Sequence, residues 1–281
     1  MNKNACDGIY DSMDVRFTKN CDNRCPFCIE KQGLPSFGMP DIKKMIDNTI
    51  TRGIKDVLIL GGEPFLYPEQ LLEYMKGIRS YADKIYLTTS LPWSIESDSD
   101  SALRVIKLLD GLNVSLQSTD WQENNKLMNS SSCHNRIKIL ESLIYIFGDK
   151  IRVSINLVKG GIDNKGKIEK VLSDLEHIGC KYIKINELQN QSDLYVSFEK
   201  IMGVKYSSPY ATGCSTFIKL KGITMKILLK RSCFLTENSL KASLLDLLKS
   251  IFKVFYTKKN KFSVLYENGN LEKGWITCSQ K

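Results

Sequence analysis

The amino-acid sequence predicts an α/β protein: a partial (β/α)6 barrel over residues 1–203 and a small α+β domain over residues 204–281. Up to about residue 200, short β-branched runs alternate with amphipathic stretches, the pattern of a parallel sheet covered by helices. After about residue 204 that rhythm gives way to paired short strands around turn residues. A length of 281 residues, 42% of them hydrophobic, is enough to bury a core without disulfide staples.

The first expected strand is Asp14–Thr18. Helix Met39–Arg52 follows, with Pro40 and Asp41 opening it, since proline is tolerated in a first turn and an acid suits the positive end of the helix dipole. Strand Asp56–Leu60 then leads to helix Tyr67–Tyr81, strand Lys84–Thr88 to helix Ser101–Leu109, and strand Gly111–Leu116 to helix His134–Phe147. Strand Arg152–Val158 leads to helix Asn164–Ile178, which Gly179 stops before the sixth strand, Tyr182–Asn186. Five helices linking six strands make a partial barrel, and Ser97–Ser101 is a short polar loop. Beyond it, Phe217–Lys221 and Ile223–Leu229 straddle Gly222 as a hairpin. Asn238–Phe255 reads as a helix, and Phe262–Glu267 with Leu271–Trp275 straddle Asn268-Gly269, a strong hairpin signal.

Composition excludes several classes of protein. Charged residues are 25% of the chain, as in ordinary globular proteins, and no stretch approaches the roughly 20 apolar residues of a membrane span. The N-terminal residues carry acids and no apolar core, so they do not read as a secretory signal, and the expected location is the cytoplasm. A net charge of +9 comes mostly from scattered lysines without an aromatic-basic signature, so nucleic-acid binding is not indicated and anionic substrates are permitted. Nine cysteines are many for a compartment that keeps thiols reduced, whereas two histidines supply few zinc sites or catalytic triads.

Three of those cysteines crowd one loop directly after the first strand: Cys21, Cys25 and Cys28, spaced C-x3-C-x2-C. Loops at the C-terminal ends of barrel strands are where such folds place chemistry. This spacing lets one tight loop give three thiolates to three irons of a cubane and leaves the fourth iron open. The plainer alternatives are a loop of free thiols, or a zinc knuckle without its fourth ligand. At the end of the second strand, Gly61-Gly62-Glu63-Pro64 places two residues without side chains where the backbone can approach a ligand closely. Alone, that tetrapeptide would pass for an ordinary strand-to-helix turn.

Together the two motifs resemble the radical S-adenosylmethionine (SAM) superfamily over residues 14–190, in which the cysteine triplet follows the first strand of a partial TIM-like barrel. Phe27 fills the position where that family usually has an aromatic residue before the last cysteine. The resemblance implies a [4Fe-4S] cluster on Cys21, Cys25 and Cys28, whose open iron binds SAM through its amino and carboxylate groups. It further implies reductive cleavage of SAM to a 5'-deoxyadenosyl radical that abstracts hydrogen from a substrate, with Gly61, Gly62, Glu63 and Pro64 meeting the SAM amino group. Alternation places Ser115 and Gln117 on one face of the fourth strand and Ser154 and Asn156 on one face of the next. Facing into the barrel, these four would meet the ribose hydroxyls; otherwise they are solvated strand ends.

Cys214 and Cys233 flank the first C-terminal hairpin, and Cys278 follows the second. Antiparallel pairing brings the ends of a hairpin together. The arrangement resembles the twitch domain of some radical SAM enzymes, among them an aminoglycoside-precursor dehydrogenase, and implies an auxiliary [4Fe-4S] cluster with one iron open. The other reading is three thiols packed in a small core. Cys6, Cys133 and Cys180 have no partners at ligand spacing and are read as structural or incidental. The expected substrate is a small or nucleotide-like molecule, because the C-terminal unit is short; the alternatives are a ribosomally made peptide, or a cluster used only for electron transfer or sensing. A reductant such as flavodoxin or ferredoxin is the expected partner.

Overall fold

The computed structural model describes residues 12–29, 36–188, 193–203, 215–232 and 263–272. Six strands pair in parallel and in chain order: β1 (Ser12–Thr18), β2 (Asp56–Gly61), β3 (Lys84–Thr89), β4 (Gly111–Leu116), β5 (Ile151–Leu157) and β6 (Tyr182–Glu187). Each is a β-rich run with a two-residue period. One face of the sheet, including Val15, Phe17, Ile59, Leu87, Val114, Ile155 and Ile185, is fully buried in the core beneath the helices. The alternate residues, among them Ser115, Ser154, Asn156, Lys184 and Asn186, face the concave side. Near the N-terminal ends of the strands that side is closed by a stack, the Arg152 guanidinium lying 4.8 Å from the Tyr86 ring centre and 5.2 Å from that of Tyr182.

The helices are α1 (Ile42–Thr51), α2 (Pro68–Ile78), α3 (Ser94–Ser97), α4 (Ser99–Leu108), α5 (Trp121–Leu127), α6 (Arg136–Phe147), α7 (Lys165–His177) and α8 (Phe198–Met202). All but α2 and α3 start at a side-chain cap. Asp41 accepts from the Lys44 amide at 3.1 Å and is the N-cap of α1, so Pro40 lies outside the helix and not in its first turn as expected. Asn135 caps α6 and sets its start at Arg136, two residues later than His134. Helix α5 was not anticipated, although Asp120 accepts from the Gln122 and Glu123 amides, each at 2.9 Å, and Glu123 stands three residues on, a spacing that marks helix starts. Gly179, at φ +84°, terminates α7 as expected.

Both C-terminal hairpins form, and both join the barrel sheet. Strands β7 (Ser215–Ile218) and β8 (Lys226–Lys230) pair antiparallel, and β8 lies parallel to β6 with Lys230 opposite Asn186. Strands β9 (Ser263–Leu265) and β10 (Leu271–Glu272) pair antiparallel, and β9 lies parallel to β1 at the opposite edge. Strand pairing therefore runs across the expected boundary at residue 203 and gives one ten-stranded sheet. An open sheet edge presents unpaired backbone groups, and each hairpin satisfies one. The expected helix Asn238–Phe255 and the residues after Glu272 lie outside the described residues.

The second hairpin is also locked by charge. Arg16 on β1 donates to both carboxylate oxygens of Glu267, at 2.9 Å each, with both side chains fully buried. The guanidinium lies 5.5 Å from the Phe37 ring centre and 4.6 Å from that of Tyr266, and the Phe37 amide donates to the same carboxylate at 3.0 Å. Such a bidentate pair is shape-specific, and neither half tolerates loss of the other.

Candidate active site

A cavity of about 370 Å³ opens at the C-terminal ends of the strands. The cysteine loop forms one wall with Cys21, Cys25, Phe27 and Cys28, and Gly61 and Gly62 adjoin it. Ser115, Gln117, Asn156 and Asn186 continue the lining along successive strands, and Lys230 closes the far side. Ser154, expected beside them, lies two residues before Asn156 on β5, where its hydroxyl accepts from the Asn186 side-chain amide at 2.9 Å, and it is not on the cavity wall.

The cysteine loop is held by its neighbours. The Arg24 amide donates to the Met128 and Asn129 carbonyls, each at 3.1 Å, and the Ser131 amide donates to the Asp22 carbonyl at 2.9 Å. Beneath it sits Arg136, fully buried. Its guanidinium donates to the Ser90 carbonyl at 2.8 Å, to Asn23 at 3.0 Å, to the Ser130 hydroxyl at 2.9 Å and to Asn125, and it pairs with the Asp22 carboxylate at 3.4 Å. One side chain thus ties the loop to the end of β3 and to the start of α6.

The glycine pair has a steric cause. The Gly62 amide donates to the Thr18 carbonyl at 2.6 Å and the Glu63 amide to the Asn20 carbonyl at 2.7 Å, so the end of β2 lies against the cysteine loop. A Cβ at Gly62 would collide with the Asn20 carbonyl, and one at Gly61 with that of Thr18, while Gly61 also adopts φ +132°. Only residues without side chains fit.

Glu63 is fully buried behind this wall. Its carboxylate accepts from the Thr89 hydroxyl at 2.8 Å, from the Ser90 amide and hydroxyl at 2.7 Å each, and from the Phe65 amide at 3.1 Å. Burial outweighs these four donors and pushes its pKa up to about 6. Thr89 and Ser90, which do line the cavity, carry its hydrogen bonds to the wall. Pro64 opens a short 3-10 turn and is buried. Leu91, next in chain, is fully buried at φ +56°, a strained conformation for a branched side chain. It is held by its amide's bond to the Thr89 hydroxyl at 3.0 Å and by His134 Nε2, 2.7 Å from its carbonyl.

The residues present fit the expected cofactors. Among the described residues, no three His, Cys, Asp or Glu side chains converge on one point as a single metal ion requires. A cubane instead needs thiolates on three separate irons, and here three thiols of one loop face one cavity. Cys180 packs in the core and Cys133 is exposed. Cys6, Cys214, Cys233 and Cys278 lie outside the described residues. Asn23, Thr89, Ser90 and Arg136 have no local signal, because their partners are distant in the chain. Lys230 could have been found by alternation along β8.

A family model for the Radical SAM superfamily matches residues 15–175. Among curated proteins, the chain is 25% identical over 175 residues to a GTP 3',8-cyclase of Lactiplantibacillus plantarum, covering 57% of this chain and 49% of that protein. It is 23% identical over 206 residues to a GTP 3',8-cyclase of Limosilactobacillus fermentum, covering 69% of this chain and 60% of that one. The chain thus spans about half to three-fifths of the length of these relatives. Among solved structures, Streptococcus suis SuiB bound to SAM matches with a TM-score of 0.59 at 14% identity, over 98% of this chain and 64% of that one. SuiB bound to its precursor peptide SuiA matches at 0.57 and 14%, over 98% of this chain and 63% of that one. These two likenesses show the fold.

Proposed function

The chain belongs to the radical SAM superfamily, and from that premise we propose that its cavity binds SAM against the cysteine loop and presents a small or nucleotide-like substrate from the Lys230 side. The family makes it an enzyme that uses a [4Fe-4S] cluster and SAM. The observation that carries the proposal is one cavity lined by three cysteines of one loop, by a side-chain-free backbone stretch and by a polar wall. Cys21, Cys25 and Cys28 would hold the cluster, which when bound supplies the electron that breaks a carbon–sulfur bond of SAM. Gly61 and Gly62 let the methionine end approach the backbone, and Glu63, just behind them, supplies negative charge for its ammonium. Ser115, Gln117 and Asn156 are placed to hydrogen-bond the ribose, and Phe27 offers an apolar surface beside the third thiol.

A nucleotide-like substrate is supported by the GTP 3',8-cyclase relatives, to which this chain is 25% and 23% identical over 175 and 206 residues. A ribosomally made peptide is the second reading, because the fold is also that of SuiB, solved with a precursor peptide. No helix among the described residues is long and apolar enough to cross a membrane. We further propose a cytoplasmic location, a flavodoxin or ferredoxin as reductant, and a second [4Fe-4S] cluster on Cys214, Cys233 and Cys278. Anaerobically reconstituted protein given a reductant and SAM is expected to release 5'-deoxyadenosine, and the Cys21, Cys25, Cys28→Ala triple variant to release none. Iron analysis of the same samples should give about eight irons per chain in the wild type and about four in the variant. Retained SAM cleavage in the variant would overturn the cluster assignment. An iron-free variant beside a wild type with about four irons would remove the second cluster.

A further inference from the structure

On the side of the cavity away from the glycine pair, the sheet presents two lysines that make no ion pair among the described residues; the Glu187 carboxylate, which also lines the cavity, accepts from the Phe198 and Ser232 amides. Lys230, the last residue of β8, lines the cavity opposite Asn186 in the β6–β8 register. Lys184 stands two residues earlier on β6, on the same face and opposite Leu228, so the two lysines are diagonal neighbours. Such neighbours lie roughly 7–8 Å apart at Cα, within reach of long side chains. Among the described residues neither ammonium donates a hydrogen bond or makes an ion pair, and Asp14, on β1, is the carboxylate whose charge acts on Lys184. Burial, helped by the charge of Lys230, holds the Lys184 ammonium down at about 8.

Two like charges beside a half-buried cavity are unfavourable unless an anion joins them. Lysine binds phosphate and carboxylate as a point charge and needs no bidentate geometry. The anion is not expected to be part of SAM's methionine end, because strands β3, β4, β5 and β6 separate the glycine pair on β2 from Lys230 on β8. We propose that Lys230, on the cavity wall, with Lys184 beneath it as a second positive charge, forms an oxyanion subsite for a phosphate or carboxylate group of the substrate. This rests on the reading of the cavity as a radical SAM active site, and it narrows the substrate to an anionic small molecule.

The test titrates the anaerobically reconstituted, SAM-loaded protein with inorganic tripolyphosphate and, separately, with citrate. Saturable binding of tripolyphosphate assigns a phosphate, and binding of citrate a carboxylate. Lys230→Gln and Lys184→Met should each weaken that binding at least tenfold, while Lys230→Arg keeps it. Lys184→Met should also raise the melting temperature of the ligand-free protein, since it removes an uncompensated buried charge. A lysine with a merely structural role would lower it. Wild-type protein that binds neither anion, or variants that bind as wild type does, would overturn the proposal. So would Lys230→Gln weakening SAM binding by the same factor as anion binding, which would make SAM's own carboxylate the anion. Absence of 5'-deoxyadenosine formation would instead count against the enzyme reading and leave the anion titrations interpretable.

Discussion

Glu63 shows how a single side chain is tuned by burial. With no contact to water, its carboxylate depends on four donors, and these leave its pKa near 6. A SAM ammonium placed at the glycine wall would favour the ionised form. Below about pH 6 the free protein holds Glu63 protonated, so binding must expel that proton. SAM affinity is therefore expected to fall as pH drops through about 6, as read by anaerobic calorimetry on cluster-loaded protein. Glu63→Gln should remove that pH dependence and weaken SAM by about tenfold, because the buried carboxylate acts on the ammonium through the wall as a charge and not as a hydrogen-bond partner. A pH-independent wild type would separate Glu63 from SAM. In the ligand-free protein the sign is the opposite one: the raised pKa stabilises the fold below the unfolded value of 4.5, and that stability is lost as pH rises through about 6. The Gly61-Gly62-Glu63 motif was readable because its parts are adjacent in the chain. Thr89 and Ser90 were not, since they reach the carboxylate from 26 and 27 residues away.

Among the elements, the cysteine loop depends on a helix that begins 113 residues after Asn23. Arg136 opens α6, yet its guanidinium lies under Asp22 and Asn23. Arg136→Met keeps much of the volume and removes the charge, leaving Asp22 and the Ser90 carbonyl without that donor. Removing one partner of a buried pair typically costs about 3–5 kcal/mol, and a urea midpoint should fall accordingly. Iron incorporation should fall with it, because the loop loses its anchor to β3. A variant as stable as wild type, with full iron content, would show that the loop holds its shape alone. Charge at this position has no local sequence signal, since the contact to Asn23 spans 113 residues.

For the whole molecule, the last third of the chain completes a sheet begun by the first two-thirds. β8 covers the edge at β6 and brings Lys230 to the cavity, while β9 covers the edge at β1, where Arg16 and Glu267 lock it. Glu267→Ala leaves the Arg16 charge buried and should cost about 3–5 kcal/mol in denaturant unfolding, whereas the double change Arg16→Met with Glu267→Leu should recover much of it. Equal stability of the single variant and wild type would mean that strand pairing alone holds the hairpin. The β/α order, the thiol spacing and the glycine pair follow from the sequence alone, because strand period, loop reach and freedom from a Cβ are properties of neighbours along the chain. Tertiary structure alone decided that the C-terminal hairpins extend the barrel sheet, that Glu63 is sealed behind Thr89 and Ser90, that Arg136 braces the cysteine loop, and that Lys184 and Lys230 lie on one face of neighbouring strands. Each of these depends on which strands lie side by side, and that is settled by burying the whole core at once and not by any local pattern.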